Sequence, residues 1–146
     1  MTDDVSIDSG DASVAALDLV DTGIGDFNDA AAPLAEVRPL ACIARVGGEV
    51  IGGAVGRSWG ACAELQQLWV REDRRGAGIG RRLLAAFETA AAARGAATCF
   101  LESFSFQAPA FYAAQGYATA WRNAAYPHGI VKHHMVKALG AVPPPL

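Results

Sequence analysis

Apolar residues change their spacing several times along this chain, and the changes mark its elements. Residues 1–10 are polar, and Val5 to Ile7 has room for no more than a short edge strand. From Asp11 the pattern is helical: Val14, Leu17 and then Leu19 with Val20 share a face, and Gly23 ends the run. A second short helix is expected from Asp26, with Phe27 inward, to just before Pro33. Between residues 40 and 70 the helical period disappears. Leu40 to Val46 reads as a strand, Gly47-Gly48 as a tight hairpin turn, and Glu49 to Arg57 as the return strand. Ser58-Trp59-Gly60 turns the chain again into a third strand, Ala61 to Val70. Helical spacing then returns in Ile79, Leu83, Leu84, Phe87, Ala90 and Ala91, with Gly95 placed to stop it. Ala97 to Glu102 reads as a short buried strand. Gln107 to Gln115 reads as a compact helix with Pro109 in its first turn and Gly116 past its end. Tyr117 to Trp121 and Ile130 to Leu139 complete the chain as two strands, and 141–146 (AVPPPL) as an extended tail. The order predicts a mixed α/β (α+β) fold: a largely antiparallel sheet flanked by helices, with one central β-α-β crossover.

Composition narrows the class. At 146 residues and 52% hydrophobic, the chain suits one domain, with 1–10 and 141–146 as tails, and it excludes a wholly disordered protein. No apolar stretch approaches 18 residues, and the acidic start MTDDVSIDSGD is unlike a signal peptide, so a soluble cytoplasmic location is expected, without a membrane partner. Charge is segregated. Residues 1–30 hold eight aspartates and no Lys or Arg, so against a total of −3 the remainder carries +5. Five of the twelve basic residues fall between Arg71 and Arg82, opposed there by Glu72 and Asp73 alone. Net acidity disfavours a nucleic-acid partner, while a local basic knot suits a small polyanion. Cys42, Cys62 and Cys99 lack metal-ligand spacing and read as buried free thiols. His128, His133 and His134 form no ligand pattern either, so no metal is expected.

The basic knot surrounds the most informative stretch, LWVREDRRGAGIGRRLL from Leu68 to Leu84. A strand ends at Val70, a charged loop follows, and Gly76, Gly78 and Gly80 open an amphipathic helix. Glycines there let backbone N–H groups converge, and a helix N-terminus adds positive potential. With Arg74, Arg75, Arg81 and Arg82 around it, this is a cradle for a pyrophosphate. A P-loop is excluded because no GK[ST] closes the run. A dinucleotide fold needs a small residue where Arg81 stands, and an antiparallel meander is the wrong approach to it.

Val70-x4-Arg75-Gly76-x-Gly78-x-Gly80-x2-Leu83-Leu84 resembles the acyl-CoA signature of the GNAT N-acetyltransferase superfamily, R-x-x-G-x-G/A. Ser105-Phe106-Gln107-Ala108-Pro109-Ala110-Phe111-Tyr112-Ala113-Ala114-Gln115-Gly116-Tyr117 resembles that superfamily's second motif, a helix bearing a Tyr and closing on Gly-aromatic. Two motifs in this order cover roughly residues 40–139 and are similar to those of small single-domain bacterial members. The resemblance implies direct transfer of an acyl group, most often acetyl from acetyl-CoA, to a primary amine. It implies a phosphate loop of Arg75, Gly76, Ala77, Gly78, Ile79 and Gly80 with Arg81. Leu68 and Val70 would pair with pantetheine through their backbones, the Val70 N–H facing the thioester carbonyl. Tyr112 takes the place of the general acid. Glu64 takes the place of a glutamate base, with Glu102 as a second candidate. Ser105 stands where many members have an Asn that contacts the cofactor, and its hydroxyl would make that cofactor contact with shorter reach.

The resemblance leaves the acceptor open between small-molecule and peptide amines. Trp121, Tyr126 and His128 are candidates for its pocket or for plain packing. Homodimers are common in the superfamily. The alternative from another class is a non-catalytic acyl-CoA-binding or sensor domain, which would keep the cradle without turnover.

Overall fold

The computed structural model describes residues 4–140, and the expected tail at 141–146 lies outside them. The chain divides into two compact units, residues 1–35 and 36–146.

The first unit is built around one helix, α1 (Val14–Asp29). Ser13, not Asp11, begins it: the Ser13 hydroxyl accepts the Ala16 N–H at 3.1 Å, satisfying one of the donors a helix start leaves free. The expected break at Gly23 does not occur. Gly23 and Gly25 lie inside a continuous helix, where each costs roughly 1 kcal/mol relative to Ala but leaves every backbone bond intact. The separate helix expected from Asp26 is instead the last turn of α1, followed by a 3₁₀ turn at Ala32–Glu36. Val5 to Ile7 forms no strand.

The second unit carries a six-stranded sheet with helices, in the order β1 (Arg38–Val46), β2 (Glu49–Trp59), β3 (Cys62–Val70), α2 (Ile79–Ala93), β4 (Thr98–Phe104), α3 (Pro109–Ala114), β5 (Ala118–Asn123), β6 (Lys132–Ala138). Across the sheet the strands run β1-β2-β3-β4-β6-β5. Every pair is antiparallel except β3–β4, which α2 joins as a crossover. The Gly47-Gly48 turn is tight because both residues hold positive φ, +56° and +82°, which matches the twist of the flanking strands. Positions 83, 84, 87 and 91 fall on one face of α2. Leu83, Leu84, Phe87 and Ala91 pack from there onto Ala54, Leu65, Cys99, Leu101 and Met135 of the sheet. Burying a side chain such as Leu84 or Phe87 stabilises the fold by roughly 1.5–3 kcal/mol. Arg94, just past α2, ties this layer to the sheet by donating to the Pro39 carbonyl at 2.9 Å and to the buried Ser58 hydroxyl at 3.1 Å.

Two irregularities in β3 shape the surface beside it. The pairing passes from Val55↔Gln67 to Gly56↔Leu65, so Gln66 is an inserted residue and β3 carries a bulge. The bulge reverses which residues face α2: Ala63 and Leu65 do so before it, Leu68 and Val70 after it. Gly56 accommodates it, since a Cβ there would lie 1.9 Å from the Glu64 carbonyl oxygen. The second irregularity is that β3 and β4 pair only over Cys62–Glu64 and Thr98–Phe100. Beyond those residues the two parallel strands separate.

The three cysteines are free thiols, Cys99 buried and the others partly buried; burial raises the Cys42 and Cys99 thiols above their usual range. Among the described residues no group of His, Cys, Asp and Glu is arranged to hold a metal ion, and no helix is long and apolar enough to cross a membrane.

Candidate active site

The separation of β3 from β4 exposes backbone groups that a continuous sheet would pair. Arg71 N–H donates to the Ile51 carbonyl at 2.8 Å, while Val70 lies directly opposite Gly52. In an antiparallel ladder that geometry makes Val70 a non-hydrogen-bonded position, so its N–H and C=O point away from β2 and toward β4. Leu68, two residues earlier and opposite Ala54, points the same way. The Val70 carbonyl is taken by Arg75, whose Nε donates to it at 2.8 Å.

At the mouth of this gap the Gly-rich turn shapes a cleft of about 420 Å³. It is lined by Leu68 and Val70 of β3, by Arg74, Arg75, Gly76, Gly78, Ile79, Gly80 and Arg81, and by Ala108 and Phe111 on the α3 side. The three glycines serve two needs. Gly76 and Gly78 hold φ of +79° and +81°, a left-handed conformation that a Cβ would strain. Gly80 lies where a Cβ would fill the space between Phe111 and Val70, 3.9 Å from each. The first turn of α2, whose opening N–H groups have no intrahelical partners, thus lines the cleft beside three arginines, Arg74, Arg75 and Arg81. The arginines of the knot are not equivalent. Arg71 is committed to Asp73 at 2.6 Å and Glu49 at 2.9 Å, so it braces the loop, and its bond to Asp73 holds that carboxyl below its usual range. Arg82 lines a different cavity, with Arg45 and Ile51. Ala77 sits between two lining glycines without lining the cleft itself.

A second cleft of about 280 Å³ adjoins the first across Leu68 and Ala108. Gln66, Gln67, Glu102, Ser103, Gln107 and Tyr112 complete it. α3 is held over it by side chains from β4 and the loop: Gln107 Oε1 accepts the Phe104 N–H at 2.7 Å, and the Ser103 hydroxyl accepts the Ala108 N–H at 3.4 Å. The Tyr112 ring stands edge-on to Phe111 and Tyr117, with centroids 5.2 and 5.9 Å away. Burial raises the Tyr112 phenol above its usual range, so it keeps its proton at neutral pH and stays a donor. Tyr117 is anchored more firmly: its hydroxyl donates to Glu88 at 3.0 Å, and Lys137 donates to the other Glu88 oxygen at 2.7 Å.

The structure thus brings together Leu68, Val70, Arg75, Gly76, Gly78, Ile79, Gly80, Arg81 and Tyr112 around one continuous opening. It does not bring Glu64 or Ser105 there. Glu64 stands opposite Arg57, which donates to it at 2.8 Å, and it lines neither cleft. The Ser105 hydroxyl accepts the Val131 N–H at 3.0 Å and pins the loop before β6. Sequence spacing passed over Phe111, Gln66, Gln67 and Gln107. The bulge that turns the glutamines into the gap leaves no mark in the residue pattern, whereas Phe111, next to Tyr112 in a helical motif, was within reach of it.

The sequence profile of the Acetyltransferase (GNAT) family matches residues 18–117. A blasticidin-S acetyltransferase of Streptomyces morookaense is 41% identical over 116 residues, 73% of this chain and 82% of that protein. Among solved structures, an acetyltransferase from Bacillus cereus is 25% identical with a TM-score of 0.71, over 91% of this chain and 98% of its own. The PaiA N-acetyltransferase of Thermoplasma acidophilum, solved in complex with coenzyme A, shares the fold at 20% identity and a TM-score of 0.59, over 69% of this chain and 61% of its own.

Proposed function

This chain belongs to the acetyltransferase (GNAT) family, and from that premise we propose that it moves the acetyl group of acetyl-CoA directly onto a primary amine of a small molecule, blasticidin S being the first acceptor to try. The observation that carries this reading is the juxtaposition of an anion cradle, an unpaired strand edge and a protonated phenol along one opening.

In that reading Arg75, Arg81 and the N–H groups of the Gly76–Gly80 turn hold the pyrophosphate of the donor. The outward N–H groups of Leu68 and Val70 and the outward C=O of Leu68 take up the amides of its pantetheine arm, as an added strand would, while Arg75 keeps the Val70 carbonyl. When bound, the thioester supplies an activated acyl carbon. The chain contributes positioning, an N–H of β3 for the negative charge that develops on the carbonyl oxygen, and protons. The acceptor's ammonium, with a pKa of roughly 10 if it is lysine-like, gives up a proton before its nitrogen forms the new C–N bond. As the C–S bond breaks, the electron pair goes to sulfur, and the Tyr112 hydroxyl gives its proton to the departing thiolate. Glu64, already bound by Arg57, would act as base through an intervening water, and Ser105 would act by holding the loop after β4.

The test is release of CoA thiol from acetyl-CoA in the presence of blasticidin S, with the acetylated product identified by mass. Turnover that depends on both substrates supports the reading. Acetyl-CoA binding without turnover on blasticidin S or any of a panel of primary amines leaves an acyl-CoA-binding domain in its place.

A further inference from the structure

Residues of β4 alternate between two faces. Cys99 and Leu101 are buried in the core with α2 and Ser103 is buried on the same side of the strand, beside the start of α3, which places Phe100, Glu102 and Phe104 on the opposite face. Glu102 is nonetheless a wall of the cleft that holds Tyr112, because the gap between β3 and β4 opens the sheet at that level. Among the residues that line this cleft, Glu102 is the single acid. Its surroundings come from β6. Lys132 Nζ lies 2.5 Å from one carboxylate oxygen and His134 Nδ1 3.9 Å from the other. Aromatic rings adjoin the pair on the Lys132 side: Lys132 Nζ lies 5.5 Å over the Phe104 ring, Phe104 lies between Phe106, stacked at 5.5 Å, and Tyr126, edge-on at 5.3 Å, and Phe100 stacks on His134 at 5.5 Å.

We propose that Glu102 is the acceptor-recognising carboxylate of this enzyme, that Lys132 is its displaceable counter-ion in the free protein, and that the acceptor is accordingly a cationic amine carried next to a flat ring. The inference rests on the acetyl-transfer reading and names the class of its second substrate. An incoming ammonium exchanges with the Lys132 ammonium at Glu102, which keeps the carboxylate paired before and after binding. The exchange avoids leaving a carboxylate unpaired in a closing cleft. The ring of the acceptor meets Phe104 and its neighbours. Glu102 and Lys132 are each partly exposed, so the discrimination is moderate in size.

The experiment compares benzylamine with benzyl alcohol, which share a ring and differ in the ammonium, on protein saturated with CoA at pH 7. Binding is followed by ligand-observed NMR titration. The wild-type chain is expected to prefer benzylamine by about fivefold. Glu102→Gln should abolish the preference while leaving CoA affinity within twofold. Lys132→Met, which removes the competing cation, should strengthen benzylamine binding. A preference that survives in Glu102→Gln, a weakening in Lys132→Met, or no binding of benzylamine overturns the proposal. CoA affinity read in the same samples separates the two levels: failure to bind CoA overturns the acetyl-transfer reading itself, while normal CoA binding without a Glu102-dependent preference overturns only this inference.

Discussion

Tyr112 and Arg75 show how much a single side chain decides in this site. Tyr112 lies at an opening, and burial raises its phenol above the usual tyrosine range. Tyr112→Phe keeps the ring packing against Phe111 and Tyr117 and removes only the proton. It should lower kcat by about 10²-fold, in the range of a lost general acid, with the dissociation constant of acetyl-CoA changed less than twofold. Single-turnover kinetics beside a binding titration checks both. Arg75 has two tasks: it caps the Val70 carbonyl and faces the anion cleft. Arg75→Ala should weaken acetyl-CoA binding about tenfold or more, since charge-assisted bonds are worth roughly 1.5–3 kcal/mol. Arg71→Ala should have a smaller effect, because Arg71 is already committed to Asp73 and Glu49. Sequence spacing could not make that distinction. It placed five arginines in one knot, and only their partners in space sort them into brace, cradle and neighbouring cavity.

Among the elements, β3 is the one on which the site depends. Its bulge at Gln66 exists because Gly56 on β2 leaves room for the Glu64 carbonyl. Gly56→Ala should therefore destabilise the fold by about 3 kcal/mol, through a clash with backbone that no rotamer relieves. Chemical denaturation of the two forms measures it. A loss below about 1 kcal/mol would show that the ladder can shift. The elements themselves were legible. β1 to β3, α2 and the strand–helix–strand order at the end of the chain all follow from period and punctuation. The hairpin turn followed from Gly47-Gly48, whose positive φ angles only glycine adopts cheaply. What the pattern could not carry was the bulge and the length of strand pairing. The bulge depends on a cross-strand contact between Gly56 and Glu64, which no local periodicity reports. Nor does it report the partner of Glu64, which motif position assigns to the site and which pairs with Arg57 across the ladder. At α1 the error ran the other way, since Gly23 read as a stop while the helix absorbs it and Gly25 after it.

For the whole molecule, charge and buried phenols set the response to solution conditions. An acidic chain that binds a polyanion through a local basic knot depends on short-range attraction, so affinity for acetyl-CoA should fall as ionic strength rises from about 0.05 to about 0.5 M, as the Debye length shortens to a few ångströms. Burial raises Tyr112, and burial with the bonds to Cys99 and Glu88 raises Tyr117 further. Unfolded tyrosines ionise near about 10, so the folded form binds the extra protons above that pH. The stability these groups provide is fully present below about pH 10 and is lost as pH rises beyond it. Urea midpoints should accordingly hold between about pH 7 and 9 and fall above about 10. A midpoint unchanged to about pH 11 would contradict the burial of these two rings.

Uptake of acetyl-CoA by the cleft beside β3 underlies every role assigned to these residues, and calorimetric titration of the purified protein with acetyl-CoA reads it without any need for an acceptor. One site per chain with micromolar affinity is expected, with a similar response to CoA and loss of binding in the double variant Arg75→Glu, Gly78→Glu. Folded protein that binds neither compound, or a double variant that binds as well as the wild type, would contradict the assignment of the cleft.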